Sequence, residues 1–322
     1  MAVTIKDIAK ETGLGNATIS AYLNGVTVRP YNKEKIECAI KKLGYIRNDY
    51  ARGLKTHKSK TIGVLIPELS NIFSTTIISE MEIVLREKGY GIIVCDCKTD
   101  EKLEQQALRF LLSKMVDGLI VMPVTTSGKA LKVAIDNDVP ITVIDRMTDS
   151  KDVSHIVINN REVAKNATEI LVTKGCKNIA LITGDMSVYT AKERKLGFEE
   201  KLKEVGLYRE NLVFNGEFSV EGGYQAAKHI LKEYPDIDGV LATNYEMTVG
   251  CMIAMSEERK IGGEDIEFIG FDNLEMARII SSNITTVKQP LKGIGQNAAE
   301  TILSMIDGEL PKNIILEAEI VQ

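Results

Sequence analysis

Thr4-Ile5-Lys6-Asp7-Ile8-Ala9-Lys10-Glu11-Thr12-Gly13-Leu14-Gly15-Asn16-Ala17-Thr18-Ile19-Ser20-Ala21-Tyr22-Leu23-Asn24 decides how the rest of the chain is read. Ile5, Ile8 and Ala9 recur at spacings of three and four, which puts them on one face of a short helix. Gly13 stands where that helix must stop and the chain reverse, a position that favours a residue tolerant of positive φ. Leu14 then re-enters the core, and Ile19 and Leu23 supply the buried stripe of a second helix. Two short helices with this junction form a helix-turn-helix, whose second helix can lie in a DNA major groove. On these residues alone, a plain helical hairpin that binds nothing is the competing reading.

Outward from this stretch, Asn24-Gly25-Val26-Thr27 makes a turn. The spacing of Ile36, Ala39, Ile40 and Leu43 then predicts a third helix from about Asn32 to Leu43, capped by the Asn32 side chain and ended by Gly44. Three helices in so short a segment bury a core that is marginal by itself. The next residues, Tyr45-Ile46-Arg47-Asn48-Asp49-Tyr50-Ala51-Arg52-Gly53-Leu54-Lys55, allow a short helix capped by Asn48. Gly53 costs it about 1 kcal/mol relative to Ala, and so short a helix is unstable alone. A flexible linker explains the same residues.

From Thr61 the pattern changes to short β-branched runs alternating with helices, the mark of a parallel α/β sheet. Strands are expected at Ile62–Ile66, Gly91–Cys95, Gly118–Met122 and Ile141–Ile144, and in a second series at Ile179–Ile182, Leu212–Phe214, Gly239–Ala242 and Glu267–Gly270. The two series are similar: Asp117-Gly118-Leu119-Ile120 parallels Asp238-Gly239-Val240-Leu241, and Val143-Ile144-Asp145-Arg146 parallels Gly270-Phe271-Asp272-Asn273. This is an internal repeat on the scale of a subdomain. Two doubly wound lobes facing each other make a clamshell with ligand at the carboxyl ends of the strands. Asp145 and Asp272 then become quasi-equivalent carboxylates that project into the cleft.

Thr4 to Asn24 closely resembles the opening signature of the LacI/GalR family of bacterial transcription regulators, and the likeness runs over nearly the whole chain. The resemblance implies an N-terminal three-helix helix-turn-helix DNA-binding domain with a hinge helix (residues 1–58, hinge about 48–55). An α/β periplasmic-binding-protein-like domain of two doubly wound lobes follows over 59–322. The chain would recross near Asn159–Glu162 and Gln289–Lys292, giving an N-lobe of about 61–159 and 290–322 and a C-lobe of about 160–289. The last helix and strand would then return to the first lobe.

The same resemblance assigns base readout to Asn16, Ala17 and Ala21, and phosphate contacts to Thr4, Arg29, Asn32 and Tyr45. Asn48, Ala51 and Leu54 belong to the hinge, with Leu54 wedged between base steps in the minor groove and folding coupled to DNA binding. Asn can pair bidentately with adenine. Ala21 departs from the family's common arginine and Gly15 from its usual serine, which points to an operator unlike the commonest half-site. In the cleft, the effector pocket maps onto Asn71, Phe73, Asp145, Arg194, Phe218, Asn244, Asp272 and Gln289. Carboxylates, amides, an arginine and an aromatic ring suit a sugar or sugar phosphate, with Arg194 matched to an anionic group. Tyr245 stands where the family usually has aspartate.

Composition agrees with a globular regulator. Residues 1–60 hold twelve Lys/Arg against five Asp/Glu, and the remainder 28 against 40, a basic head on an acidic body. That suits a domain touching phosphates joined to one that does not, although a solvated charged face explains it as well. No apolar run approaches the roughly 18 residues of a membrane span, and the N-terminus lacks a signal peptide's apolar core. A cytoplasmic address is expected, nucleoid-associated when DNA is bound.

Cys38, Cys95, Cys97, Cys176 and Cys251 show no metal spacing, so no cofactor or metal is expected. Asp145 and Asp272 could be imagined as a glycosidase pair, but carboxylates on separate moving lobes make a poor general acid and base. No nucleophile elbow or P-loop occurs. A sugar-binding protein of the cell envelope is opposed by the basic head.

The expectation is therefore a dimeric repressor of sugar-metabolism genes on a near-palindromic operator, answering to a small effector, with a phosphorylated protein corepressor as the alternative. No heptad tail follows Pro311, and the chain ends at Glu319-Ile320-Val321-Gln322, where the family often continues with a basic segment.

Overall fold

Helix α1 (Ile5–Thr12) starts at Thr4, whose N–H and hydroxyl both donate to the Asp7 carboxylate, at 2.8 and 2.7 Å. It stops at Gly13, which takes φ +71° and returns its N–H to Ala9 O at 2.9 Å. Only glycine adopts that left-handed conformation without a Cβ clash. Helix α2 (Asn16–Leu23) follows Gly15 directly. Helix α3 (Pro30–Leu43) begins two residues earlier than the spacing predicts: Arg29 is its N-cap and Asn32 lies inside its first turn. Proline at the first helical position explains this, since its φ is preset and its missing N–H needs no partner there. Ile8, Ile19, Ile36 and Ala39 close the core, with Leu14, Leu23 and Tyr45 against them.

The computed structural model describes residues 3–45, 58–258, 266–272 and 284–321. The expected hinge helix, with Asn48, Ala51 and Leu54, lies outside these residues. The chain divides into two units, 1–59 and 60–322.

The second unit holds two six-stranded sheets. The first joins β1 (Thr61–Ile66), β2 (Gly91–Asp96), β3 (Gly118–Val121), β4 (Ile141–Ile144), β5 (Ser154–Ile158) and β11 (Asn313–Leu316) in the order β2-β1-β3-β4-β5-β11. The second joins β6 (Ile179–Thr183), β7 (Val213–Asn215), β8 (Gly239–Ala242), β9 (Glu267–Phe271), β10 (Thr285–Lys288) and β12 (Glu319–Val321) in the order β7-β6-β8-β9-β10-β12. The orders are the same, so the repeat legible in sequence is a repeat of topology. Every described strand pairing is parallel except β10 with β12. Strands β3, β4 and β8 are buried along their whole length, so they read as largely apolar runs without alternation.

Helices cover both faces of each sheet. On the first sheet, α4 (Ile72–Glu87) packs against α11 (Leu291–Ile306), and α5 (Glu101–Ser113) and the short α6 (Lys132–Ile135) lie over Leu65, Leu119 and Val143. On the second, α7 (Asn160–Thr173) packs against α8 (Tyr189–Glu204), and α9 (Val220–Glu233) against α10 (Tyr245–Glu257).

The chain passes between the sheets three times, after β5, after β10 and between β11 and β12. The last passage departs from the family-based expectation: helix α11 and β11 do return to the first sheet, but β12 goes back to the second. The first and third crossings are tied together, with Asn159 N–H donating to Leu316 O and Ala318 N–H to Asn159 Oδ1, each at 3.0 Å. The edge pairing of β12 with β10 supplies partners for backbone that a shorter end would leave bare.

The residue pattern located none of four strands, β5, β10, β11 and β12, although the resemblance implied a last strand in the first lobe. Strand β5 carries Ser154 and His155 inside the sheet, which hides it from a reading based on apolar runs. His155 is accommodated because its Nε2 accepts from Thr148 N–H at 3.2 Å and its Nδ1 pairs with Asn313 Oδ1 at 3.0 Å. Among the described residues no helix is long and apolar enough to cross a membrane, and no group of His, Cys, Asp or Glu is placed to hold a metal. Cys97, Cys176 and Cys251 are buried free thiols.

Candidate functional site

The basic head presents Asn16 and Ala17 exposed on the first turn of α2, with Ala21 half-buried one turn further on. Thr4 and Arg29 are exposed, and Asn32 and Tyr45 are half-buried. Tyr45 leans on the small core while its N–H donates to Ile40 O at 3.1 Å. The Thr4 hydroxyl is engaged by Asp7, so a phosphate contact from Thr4 requires exchanging that partner.

In the second unit, the eight side chains assigned to the effector pocket all line one cavity of about 320 Å³ between the two sheets. Small-molecule sites begin at about this size. A neighbouring cavity of about 800 Å³ meets it at Phe73, Tyr245, Asp272 and Gln289 and runs out past Lys288–Gly293. The smaller one holds the convergent polar groups.

Each of these groups has a local reason for its place. Asp145 and Asp272 follow β4 and β9, and both take left-handed backbone, at φ +65° and +71°. Each turns its N–H onto the next strand, Asp145 to Ile156 O at 2.9 Å and Asp272 to Val287 O at 2.7 Å. Aspartate tolerates this conformation better than most residues, and the turn aims both carboxylates into the cleft. Asn71 and Asn244 are N-caps of α4 and α10, their Oδ1 atoms accepting from Phe73, Ser74 and Met247 N–H groups. Phe73 itself is buried in the first-sheet core and offers the cleft only part of its ring. Phe218 rests on Gly184, where any Cβ would overlap its ring.

Arg194 is the most constrained member, at 3% exposure. Its Nε donates to Asn160 Oδ1 at 2.8 Å, its Nη1 to Thr243 O at 2.6 Å, and its plane lies 4.2 Å from the Phe271 ring centroid. Asn160 opens α7 just past the first crossing, so Arg194 joins the cleft to that crossing. Gln289 donates from Nε2 to Asp272 Oδ1 at 2.7 Å, and its buried Oε1 has no partner among the described residues, which leaves an acceptor for a ligand.

Burial dominates the electrostatics. It pushes Asp272 up to about 6, against the opposing pull of Arg194 and the Gln289 amide. Burial also raises Asp145, with Arg146 and Arg194 opposing. Two cleft residues were missed in the sequence. Arg146 lies beside Asp145, its Nε 3.6 Å from Oδ2, and donates from Nη1 to Pro123 O at 2.6 Å. Glu246, pushed up to about 7 by burial, accepts from Asn71 and Asn244. Its only sequence signal is an acidic residue in the first turn of a helix, which is usually read as complementing the helix dipole.

Comparison with known proteins covers both units. Residues 4–48 match the bacterial regulatory proteins of the lacI family, and residues 59–322 match the periplasmic binding proteins and sugar binding domain of the LacI family. The HTH-type transcriptional regulator RegA of Clostridium saccharobutylicum is 32% identical over 327 residues, covering 100% of this chain and 98% of that protein. A crystal structure of the lac repressor dimer bound to operator and the anti-inducer ONPF superposes with a TM-score of 0.90 at 25% identity, covering 100% of this chain and 98% of that one. A LacI family regulator from Enterococcus faecium with bound ribose gives a TM-score of 0.74 at 26% identity over 81% of this chain and 97% of its own. The chain belongs to the LacI family of bacterial regulatory proteins.

Proposed function

We propose that this regulator is a homodimeric repressor of sugar-metabolism genes whose operator affinity is set by a small polyhydroxylated effector in the interlobe cleft. The similar proteins are described as transcriptional regulators, and among the solved neighbours one holds operator and another holds ribose. The observation that carries the reading is the convergence of Asn71, Asp145, Arg194, Asn244, Asp272 and Gln289 from both lobes on one cavity.

In this reading Asn16, Ala17 and Ala21 face bases, and Thr4, Arg29, Asn32 and Tyr45 face phosphates. Asn48, Ala51 and Leu54 act from the hinge, and two heads address the halves of a near-palindrome. The assigned domains are 1–58 for DNA and 59–322 for effector and dimer contacts, in a cytoplasmic protein. Effector binding changes the angle between lobes joined by three crossings. Arg194, anchored to Asn160 at the first of them, transmits part of that change. Effector and operator affinities are then linked.

The test is operator binding by fluorescence anisotropy at one fixed salt concentration, because affinity varies steeply with salt. DNA selected from a random library is used, with sugars added. A sugar that shifts affinity severalfold, and loses the effect in Asp272→Ala, supports the reading; DNA binding indifferent to every sugar contradicts it.

A further inference from the structure

The cleft contains a carboxylate that reaches both lobes at once. Glu246 occupies the first turn of α10, and its oxygens have separate partners. Oε1 accepts from Asn71 Nδ2 and Oε2 from Asn244 Nδ2, both at 2.6 Å. Each asparagine spends its Oδ1 on capping its own helix, α4 on the first sheet or α10 on the second. The cap leaves the amide NH2 as the outward group, so one carboxylate joins two helix N-termini that belong to different lobes. Helix N-termini carry partial positive charge and favour an anion between them.

The rest of the lining bears on what ligand fits. Glu68, Asp145, Glu217, Glu246 and Asp272 face the cavity against Arg146 and Arg194. Five carboxylates outnumber the two guanidinium groups, and each guanidinium already has protein partners, which lowers its pull on a phosphate or carboxylate. Arg146 is spent on the Pro123 carbonyl beside Asp145, and Arg194 on Asn160, the Thr243 carbonyl and the Phe271 ring. Among the described residues, two buried cleft atoms have no hydrogen-bond partner: the acceptor Gln289 Oε1, and the donor Arg146 Nε, which stands 3.6 Å from Asp145 Oδ2 and so faces a carboxylate.

We propose that Glu246 latches the lobes through Asn71 and Asn244 and, with Asp145 and Asp272, restricts the cleft to uncharged or cationic ligands rich in hydrogen-bond donors. This rests on the effector reading above and narrows it, excluding the phosphorylated sugars that Arg194 suggested. The upward displacement of Glu246, to which Asp272 and Glu68 add, agrees with a site already crowded with negative charge. A polyol supplies donors to all three carboxylates and competes with the two asparagine amides for Glu246, so the latch is exchanged for ligand contacts.

The test uses the full chain in two measurements. The first is a double-mutant cycle on urea unfolding with Asn71→Ser, which can still cap α4 but lacks the amide donor, and Glu246→Ala. The proposal expects a coupling of about tenfold in the unfolding equilibrium constant, the size of one charge-assisted hydrogen bond. The second is calorimetric titration with matched probes: ribose and ribose 5-phosphate, glucose and glucose 6-phosphate, and glucosamine. The neutral or cationic member of a binding set should bind at least tenfold more tightly than its phosphate, and Glu246→Gln should shrink that ratio to threefold or less.

Additive single variants, a phosphorylated probe that binds more tightly than its neutral partner, or a ratio unchanged in Glu246→Gln would each overturn the proposal. Silence from every probe overturns the effector reading itself, and with it the ligand half of this proposal. Lost coupling while a sugar still binds overturns this proposal and leaves the effector reading standing.

Discussion

Asp272→Asn separates the cost of a functional charge from its use. Asp272 is 7% exposed, and its carboxyl is pushed from an ordinary 3.8 up to about 6, first by burial, with Arg194 and Gln289 opposing. That displacement corresponds to a penalty on the order of 3 kcal/mol for ionising it in the folded chain. The folded-state pKa is raised, so the stability held by the protonated acid is complete below about pH 4. It is lost as pH rises toward 6, because the unfolded chain releases the proton first.

Asparagine accepts the Gln289 amide through its own Oδ1, tolerates the φ of +71°, and carries no charge. The variant should match the parent near pH 4 and exceed it by about 1–3 kcal/mol at pH 7, the lower figure allowing for relaxation around the buried charge. Far-UV circular dichroism in urea at half-unit steps from pH 4 to 8 reads this directly; the chain has no tryptophan to serve as an emission probe. A variant less stable than the parent at pH 7, or a difference that stays constant across the range, would refute the reasoning. The same variant should lose effector response, because the charge is kept at a cost to stability.

Other outcomes follow from single contacts. Asn16→Ala should relax base preference at one position per half-site, a loss of about 1–3 kcal/mol of discrimination; unchanged selection from a randomised operator library would refute it. Gly184→Ala places a methyl group where the Phe218 ring lies, and should weaken effector binding by about tenfold with the far-UV spectrum unchanged; wild-type affinity would count against a ligand-facing role for that ring. Gly197→Ala puts a methyl group into the Arg161 carbonyl across the α7–α8 contact. It should destabilise the second unit by about 2 kcal/mol or more, and an unshifted urea midpoint would show that the helices can part without cost.

What the sequence made legible follows local signals. Gly13 and Gly44 end their helices where expected because a left-handed position leaves little choice of residue. The duplicated sheet order was readable from paired segments such as those ending at Asp145 and Asp272, and the shared left-handed φ of these two residues is its structural counterpart. The start of α3 was misplaced because Pro30 competes with Asn32 as the helix signal, and proline at the first position prevails.

Strand β12 was expected in the first lobe with the rest of 290–322 but pairs in the second, since three residues carry no label saying which sheet edge they will join. Asp145 and Asp272 were legible from the repeat, whereas the other six cleft residues came from resemblance, not from spacing. Glu246 was missed because its meaning lies in Asn71, far away in sequence and 2.6 Å away in space. The expected phosphate grip of Arg194 also depended on what surrounds it, and the Asn160, Thr243 and Phe271 contacts reduce what the guanidinium has left to offer.

The central claim is that operator and effector sites are linked. The direct measurement is a closed thermodynamic square: operator affinity with and without saturating effector by anisotropy, and effector affinity with and without saturating operator by calorimetry, in one buffer. The account predicts the same factor, fivefold or more, in both directions. A factor of one in both, with each ligand still bound, would contradict it.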